Sequence, residues 1–292
     1  MKKVKIGKNF IGEGESCYII AEIGINHNGD IELAKELIKL AKESGCDAVK
    51  LQKRTVDVVY TSQELALQRQ SVFGETNGDL KRGLEFGEKD YAQIDEYCKK
   101  LDITWFASCW DEASVDFIDR FDPPAYKIAS ASLTDEALLR YTKSKGKPIL
   151  LSTGMSTMAE IARALEILGT ENTILYHCTS TYPTDNSEVN LNVIQTLRDS
   201  FDCPVGYSGH EKGISPSVLA VAYGAVSVER HITLDRTLWG SDQAASLEPE
   251  GLRRLVRDIR QIPTLQGDGV KRVYESEVPI IKKLRRVGAN AM

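Results

Sequence analysis

Lys50 and Lys127 stand inside otherwise apolar runs, Ala48-Val49-Lys50-Leu51 and Ala125-Tyr126-Lys127-Ile128. A lysine so placed either threads its charge to solvent along its own stem or neutralises an anion brought to it. Ser108, Ser130, Ser152 and Ser208 close neighbouring runs and add hydroxyl donors, so the set reads as a cradle for phosphate or carboxylate. The plainer alternative is that the serines satisfy local backbone groups. All four histidines also fall near the ends of apolar runs. His210 and His231 end consecutive runs, so their imidazoles converge either as ligands of one metal or as two hydrogen-bonded core histidines. His27 and His177 make a weaker case and read equally well as structural. Glu22 ends the first run, where burial raises a carboxyl pKa and suits it to move protons or to stand beside a metal. Asp242, in Trp239-Gly240-Ser241-Asp242-Gln243, either brings a second carboxylate or caps a loop.

The elements that must hold these residues repeat along the chain. Apolar runs at 18–23, 47–51, 103–107, 125–128, 148–151, 172–177, 204–207 and 225–231 make eight candidate strands, continuous enough to be buried on both faces. Between them lie segments of helical periodicity at 32–41, 91–101, 114–121, 136–144, 158–168, 191–199, 215–224 and 249–262. Eight alternating units predict an α/β fold, a closed (β/α)8 TIM barrel, rather than an open sheet, and no GxGxxG turn follows the first strand. Polar groups are costly on buried strands without partners, so chemistry at all eight ends points to one site at the carboxyl-terminal face. Residues 1–16 are expected to form a short N-terminal hairpin closing the bottom of the barrel. The insertion at 55–89, rich in Gln, Asn, Gly and charge, follows the second strand and is expected over the mouth. One domain over 1–292 is expected, ending in a tail at 263–292.

Composition narrows the partners. A net charge of −5 argues against general nucleic-acid or membrane-surface binding, though a few lysines still set the potential of one pocket. No stretch approaches the roughly 20 apolar residues of a membrane span, and the basic start lacks the core of a signal peptide, so the expected place is the cytoplasm. The six cysteines are scattered without a CxxC pair, as suits reduced thiols rather than a disulfide frame.

The motifs themselves carry a resemblance. Ala21-Glu22-Ile23-Gly24-Ile25-Asn26-His27-Asn28-Gly29, Tyr126-Lys127-Ile128-Ala129-Ser130, Leu151-Ser152-Thr153-Gly154-Met155, His177-Cys178-Thr179-Ser180-Thr181-Tyr182-Pro183 and Glu229-Arg230-His231-Ile232-Thr233-Leu234-Asp235 resemble, in order, those of the sialic acid (N-acetylneuraminate) synthase family. Gly240-Ser241-Asp242 followed by Ser246-Leu247-Glu248-Pro249 does so as well. The resemblance implies a transferase that condenses phosphoenolpyruvate with an aldose, N-acetylmannosamine-like or related, to a 2-keto-3-deoxy acid of the nonulosonate type, releasing phosphate. On matching positions it implies that Lys50, Ser108, Lys127, Ser130, Ser152, Ser180, Tyr182 and Ser208 hold phosphoenolpyruvate. It gives Glu22 and Asp242 catalytic roles, turns Gln52 and Asp242 toward the sugar, and makes His210 and His231 the ligands of Mn2+ or Mg2+.

The chain departs from the family pattern in three places. It ends at Met292, whereas the family continues into an antifreeze-like domain whose arginine reaches a partner's site, so that contact is expected to be missing. The basic run Lys282-Lys283-Leu284-Arg285-Arg286 reads as a solvated helix face rather than its replacement. Ser208-Gly209-His210 lacks the Asp common before the histidine, and Ser180 replaces a common asparagine. A homodimer, if formed, is expected to use barrel surfaces. Two rivals stand beside the synthase reading: a Schiff-base aldolase through Lys127 or Lys50, and a catalytically silent paralogue that binds sugar acids.

Overall fold

A computed structural model describes residues 2–287. Met1 and the end of the 263–292 tail, from 288 onward, lie outside the described residues. The chain divides into a unit Met1–Arg260 and a unit Gln261–Met292.

The first unit opens with an antiparallel hairpin, β1 (Val4–Ile6) and β2 (Asn9–Ile11). The barrel strands are β3 (Tyr18–Gly24) and β4 (Ala48–Lys53), and after the insertion β7 (Thr104–Cys109), β8 (Tyr126–Ile128), β9 (Ile149–Ser152), β10 (Thr173–His177), β11 (Val205–Gly209) and β12 (Ser227–His231). The insertion carries its own hairpin, β5 (Gln68–Ser71) and β6 (Gly74–Thr76). The eight barrel strands close in chain order, with β12 parallel to β3, and a helix follows each, the (β/α)8 architecture that the alternating runs predict.

Strand periodicity explains how the barrel builds a site. Side chains alternate between faces, so residues two apart share one. Ile20, Ala48, Phe106, Leu150, Ile174 and Tyr176 fill the lower interior together with Val4, Ile6 and Ile11 of the hairpin, which therefore plugs the bottom. The next inward residues along the strands are Glu22, Lys50, Ser108, Ser152 and Ser208. The opposite parity is apolar: Ala21, Ile23, Val49, Leu51, Ala107 and Val228 pack under the surrounding helices.

The 55–89 insertion is more ordered than a loop. Helices Val56–Val59, Ser62–Leu65 and Asn77–Leu84 flank its hairpin, and Thr61 and Thr76 each start a helix with a reciprocal capping box. Those Thr-x-x-acid pairs are the local signal that a compositional reading passes over. Phe73 of the hairpin packs edge-on against Trp239 of the loop after β12, centroids 5.8 Å apart.

Within the second unit the helix Pro249–Gln266 ends, a 3-10 turn spans Glu275–Glu277, and a helix Val278–Leu284 follows. Lys282, Lys283, Arg285 and Arg286 are exposed, as a solvated face would be. Among the described residues no helix is long and apolar enough to cross a membrane.

Candidate active site

Glu22, Lys50, Gln52, Ser108, Lys127, Ser130, Ser152, Ser180, Tyr182, Ser208, His210 and His231 line one cavity of about 220 Å3 at the carboxyl ends of the strands. Strand register brings them there: His231 lies opposite Glu22, Glu22 opposite Lys50, Gln52 opposite Ser108, and Ser108 opposite Lys127. Asp242 stands just beyond the wall, its carboxylate 3.8 Å from His231 Nδ1.

The hub of the cavity is Glu229. Lys127 Nζ donates to its Oε2 at 3.0 Å, Ser208 Oγ donates to its Oε1 at 3.2 Å, and Lys50 Nζ is 3.4 Å from Oε1. Lys50 Nζ also lies 3.0 Å from Glu22 Oε2, and Gln52 Nε2 donates to Glu22 Oε1 at 3.1 Å. Beneath Lys127, at 3.9 Å from its ammonium, is the ring of Tyr176, whose hydroxyl is fixed by donation to Ser227 Oγ. The lysines are thus already countered by buried carboxylates, which lysines reserved for an incoming anion alone would not be.

Burial pushes all four charged groups toward neutrality, and their partners decide the outcome. Burial raises Glu229, but Lys127 and Lys50 outweigh it and hold the carboxyl down to about 2. Burial raises Glu22 more than Lys50 and His231 lower it, so its carboxyl keeps a proton above the usual range. Burial lowers Lys50, yet Glu22 and Glu229 together carry it above an ordinary lysine. For Lys127 burial prevails over Glu229, and its pKa falls.

The histidines separate into two pairs. His210 and His231 stand with ring centroids 5.6 Å apart, and the Tyr182 ring lies tilted over His210 at 4.1 Å. His210 commits Nδ1 to the carbonyl of Thr179 at 2.8 Å, leaving Nε2, and burial with the neighbouring His231 lowers it to about 3, so the ring is neutral. His231 Nδ1 is buried without a hydrogen-bond partner. Behind them Arg230, on the opposite face of β12, is fully buried. It bonds the carboxylate of Glu211 at 2.8 Å, the Glu211 carbonyl at 2.7 Å and the Gly213 carbonyl at 2.8 Å, stapling down the loop that carries His210. His27 and His177 are structural. His27 stacks on Phe86 at 3.9 Å and accepts from the Gly29 N–H, and His177 Nε2 bonds the Val189 carbonyl at 2.8 Å.

His210 Nε2 and His231 Nδ1 fit a divalent metal as a two-imidazole platform. A neutral ring with a free nitrogen on His210 and an orphaned buried nitrogen on His231 are the donor chemistry such an ion takes. Among the described residues no group of three or more His, Cys, Asp or Glu forms a closed cage, so water and substrate oxygens would complete the sphere.

The sequence reading passed over Glu229 and Tyr176. Period two marks both, since Glu229 shares an inward face with His231 and Tyr176 takes the inward place beside the outward His177. Two glycines are dictated by the site. Gly24 has φ +55°, and a Cβ there would stand 3.1 Å from Glu22 Oε1 and 3.3 Å from His231 Cε1. A Cβ on Gly206 would meet the Tyr176 ring at 2.7 Å.

Residues 37–271 match a family model described as NeuB family. The chain is 38% identical to the N,N'-diacetyllegionaminic acid synthase of Legionella pneumophila over 94% of this chain and 80% of that protein. It is 39% identical to the human N-acetylneuraminate-9-phosphate synthase over 94% of this chain and 78% of that one. Among solved structures, an N-acetylneuraminic acid (sialic acid) synthetase from Leptospira borgpetersenii, in complex with citrate, superposes with a TM-score of 0.83 at 33% identity, covering 98% of both chains.

Proposed function

The chain belongs to the NeuB family, and we propose that it condenses phosphoenolpyruvate with an aldose to a nonulosonate-type 2-keto-3-deoxy acid, releasing phosphate. The observation that carries this reading is the Lys50–Glu229–Lys127 group beneath a ring of serine hydroxyls, beside the His210–His231 pair. A cavity of about 220 Å3 suits a three-carbon phosphate ester. Lys50 and Lys127 bind its two anionic ends, while Ser108, Ser130, Ser152, Ser180 and Ser208 donate to the remaining oxygens, so catalysis rests on positioning and fixed charge. Tyr182 closes the cavity over His210.

Carbon C3 of phosphoenolpyruvate forms the new bond to the acceptor's aldehyde carbon, and the aldehyde oxygen becomes a hydroxyl. Glu22, carrying its proton, delivers it to that oxygen and recovers one from the water that adds at C2. The C2–O bond to phosphate then breaks as the C2 hydroxyl becomes the ketone, and the hydroxyl proton leaves with the phosphate. Gln52 fixes the Glu22 carboxyl, and Asp242 faces the acceptor. His210 and His231 would hold Mn2+ or Mg2+, which when bound supplies Lewis-acid polarisation of the aldehyde.

A second reading rests on the lowered Lys127: a buried lysine of this kind is a Schiff-base nucleophile in aldolases. Trapping with borohydride and pyruvate separates the two, since a covalent adduct on Lys127 would sink the synthase reading. The direct test measures phosphate release from phosphoenolpyruvate with acceptors of four to six carbons, with and without N-acetyl groups, across Mn2+, Mg2+ and Co2+. Release is expected only with acceptor and metal together, and its absence throughout rejects the assignment. Calorimetric Mn2+ binding should be lost in His210→Ala and His231→Ala. Binding retained in both rejects the ligand pair.

A further inference from the structure

Glu22 is held by a chain of side chains that begins in the 55–89 insertion. Lys50, Gln52 and Arg54 stand two apart on β4 and just past its end, so Arg54 is the next rung above the lysine and the amide. Its side chain is buried, and its three nitrogens each have a different partner. Nε donates to Glu85 Oε1 at 3.0 Å, Nη1 to the Tyr60 hydroxyl at 3.0 Å, and Nη2 to Gln52 Oε1 at 2.8 Å. Glu85 and Tyr60 belong to the insertion, whereas Gln52 lines the cavity. Glu85 Oε2 also accepts from the Arg54 backbone N–H at 3.1 Å, and the guanidinium lies 5.2 Å from the ring of Trp110.

An amide side chain has the same outline either way round, so its partners decide which end is which. A guanidinium only donates, and it therefore takes the Gln52 oxygen. Nε2 is left to donate to Glu22 Oε1, which it does at 3.1 Å. Turned over, the amide would set N–H against N–H at Arg54 and present an oxygen to Glu22. The amide is closely housed: the Gln52 carbonyl accepts from the Tyr91 hydroxyl at 2.9 Å, and a Cβ on Gly24 would stand 3.2 Å from Nε2. Glu22 Oε1 is thus engaged. Oε2, which has Lys50 Nζ at 3.0 Å but no hydrogen bond, is the oxygen left to meet the acceptor.

We propose that Arg54 is a positioning residue: it sets the Gln52 amide and, through it, the Glu22 carboxyl, so that the 55–89 insertion fixes the aim of the acid. The inference rests on the condensation reading above, in which Glu22 delivers a proton to the acceptor's oxygen. Arg54 is not among the residues that line the cavity, so it acts through Gln52.

The test is a double-mutant cycle on phosphate release with Arg54→Lys and Gln52→Ala. Arg54→Lys keeps the charge beside Glu85, but one ammonium cannot span Glu85, Tyr60 and Gln52 as the fork does. In that variant kcat should fall about tenfold or more, as it does when an acid is misaimed, with KM for phosphoenolpyruvate within about twofold of the wild type. In the Gln52→Ala background the Arg54→Lys loss should vanish, since the arginine then has no amide to set. A kcat unmoved by Arg54→Lys, or a loss equally large without Gln52, overturns the proposal and leaves the condensation standing. Should Arg54→Lys fail to fold, Tyr60→Phe, which removes one anchor of the guanidinium, goes through the same cycle and is judged by the same outcomes. If the wild type releases no phosphate with any acceptor, the condensation reading fails, and the amide is judged by NMR instead. The Gln52 Nε2 protons, identified by their absence in Gln52→Ala, should exchange with solvent about tenfold faster or more in Arg54→Lys, and equal rates overturn the role of Arg54.

Discussion

Replacing Glu229 with Gln removes one negative charge from between two lysines and changes almost nothing in shape. At the observed 3.0 Å from Lys127, and with an effective dielectric near 20, the attraction is about 5 kcal/mol. One pKa unit is about 1.4 kcal/mol, so full loss of that term would lower Lys127 by up to about four units. The glutamine carbonyl still accepts from an ammonium and water relaxes around it, which leaves a fall of at least about one unit as the expectation. Burial already holds Lys127 below an ordinary lysine, so the variant lysine would be largely neutral nearer to physiological pH. The assay is KM for phosphoenolpyruvate as a function of pH. A protonated Lys127 favours the anion, so affinity is lost as pH rises through its pKa, and that limb should move down by at least about one unit in Glu229→Gln. On that limb KM at a given pH should rise roughly tenfold. If KM instead falls, Glu229 acts as a competitor for the lysines rather than as the group that keeps them charged, and the reasoning is refuted.

Three further outcomes follow from the same contacts. Glu229 is depressed from 4.5 to about 2 in the folded chain, so its contribution to stability is full above about 4.5 and disappears as pH falls toward 2. Urea unfolding between pH 5 and 3 should show a steeper loss in the wild type than in Glu229→Gln, and parallel curves would exclude the effect. Arg230→Ala leaves Glu211 buried without its counter-charge and should cost about 3–5 kcal/mol in thermal or urea unfolding, part of it recovered when Glu211 is also made Gln. A loss under 1 kcal/mol would mean that the staple is idle. Gly206→Ala forces a methyl into the Tyr176 ring, so about 1–3 kcal/mol of stability should go, with a higher KM for phosphoenolpyruvate because the floor under Lys127 shifts. An unchanged KM would detach Tyr176 from the anion site.

The barrel was legible in the sequence because its signals are local. Each strand is a short apolar run, each helix an amphipathic one, and every predicted run coincides with an observed strand to within a few residues. The residues of the candidate site were legible for the same reason, since a polar residue closing an apolar run is visible without knowing the fold. What escaped depends on which way a side chain points. His177 drew attention by residue type although its ring turns outward to Val189, while its neighbour Tyr176, facing in, forms the floor. Glu229 was read as part of a motif and not as a member of the site, because its weight comes from Lys50 and Lys127, far away in sequence. The insertion read as polar and loop-like because its order comes from two four-residue capping boxes and from Phe73 against Trp239, a contact across a long sequence distance.

The arrangement of Glu22 and Glu229 resolves an apparent contradiction, that a cavity built for an anion contains two carboxylates. Two lysines alone, fully buried, would repel one another and shed protons, and a neutral amine grips phosphate poorly. Glu229, ionised and shared between them, adds to Glu22 in raising Lys50 and offsets part of the burial that lowers Lys127. A second ionised carboxylate would cancel what remains, but burial raises Glu22, and Lys50 lies between it and Glu229. With Glu22 protonated, the four groups sum to a single positive charge when both lysines are charged. That is enough to attract an anion into a low-dielectric cavity, while each charge keeps a partner before the anion arrives. On the proposed mechanism the same proton on Glu22 serves the condensation. On that reading the balance that would admit the donor and the acid that would serve the acceptor are one feature of the site.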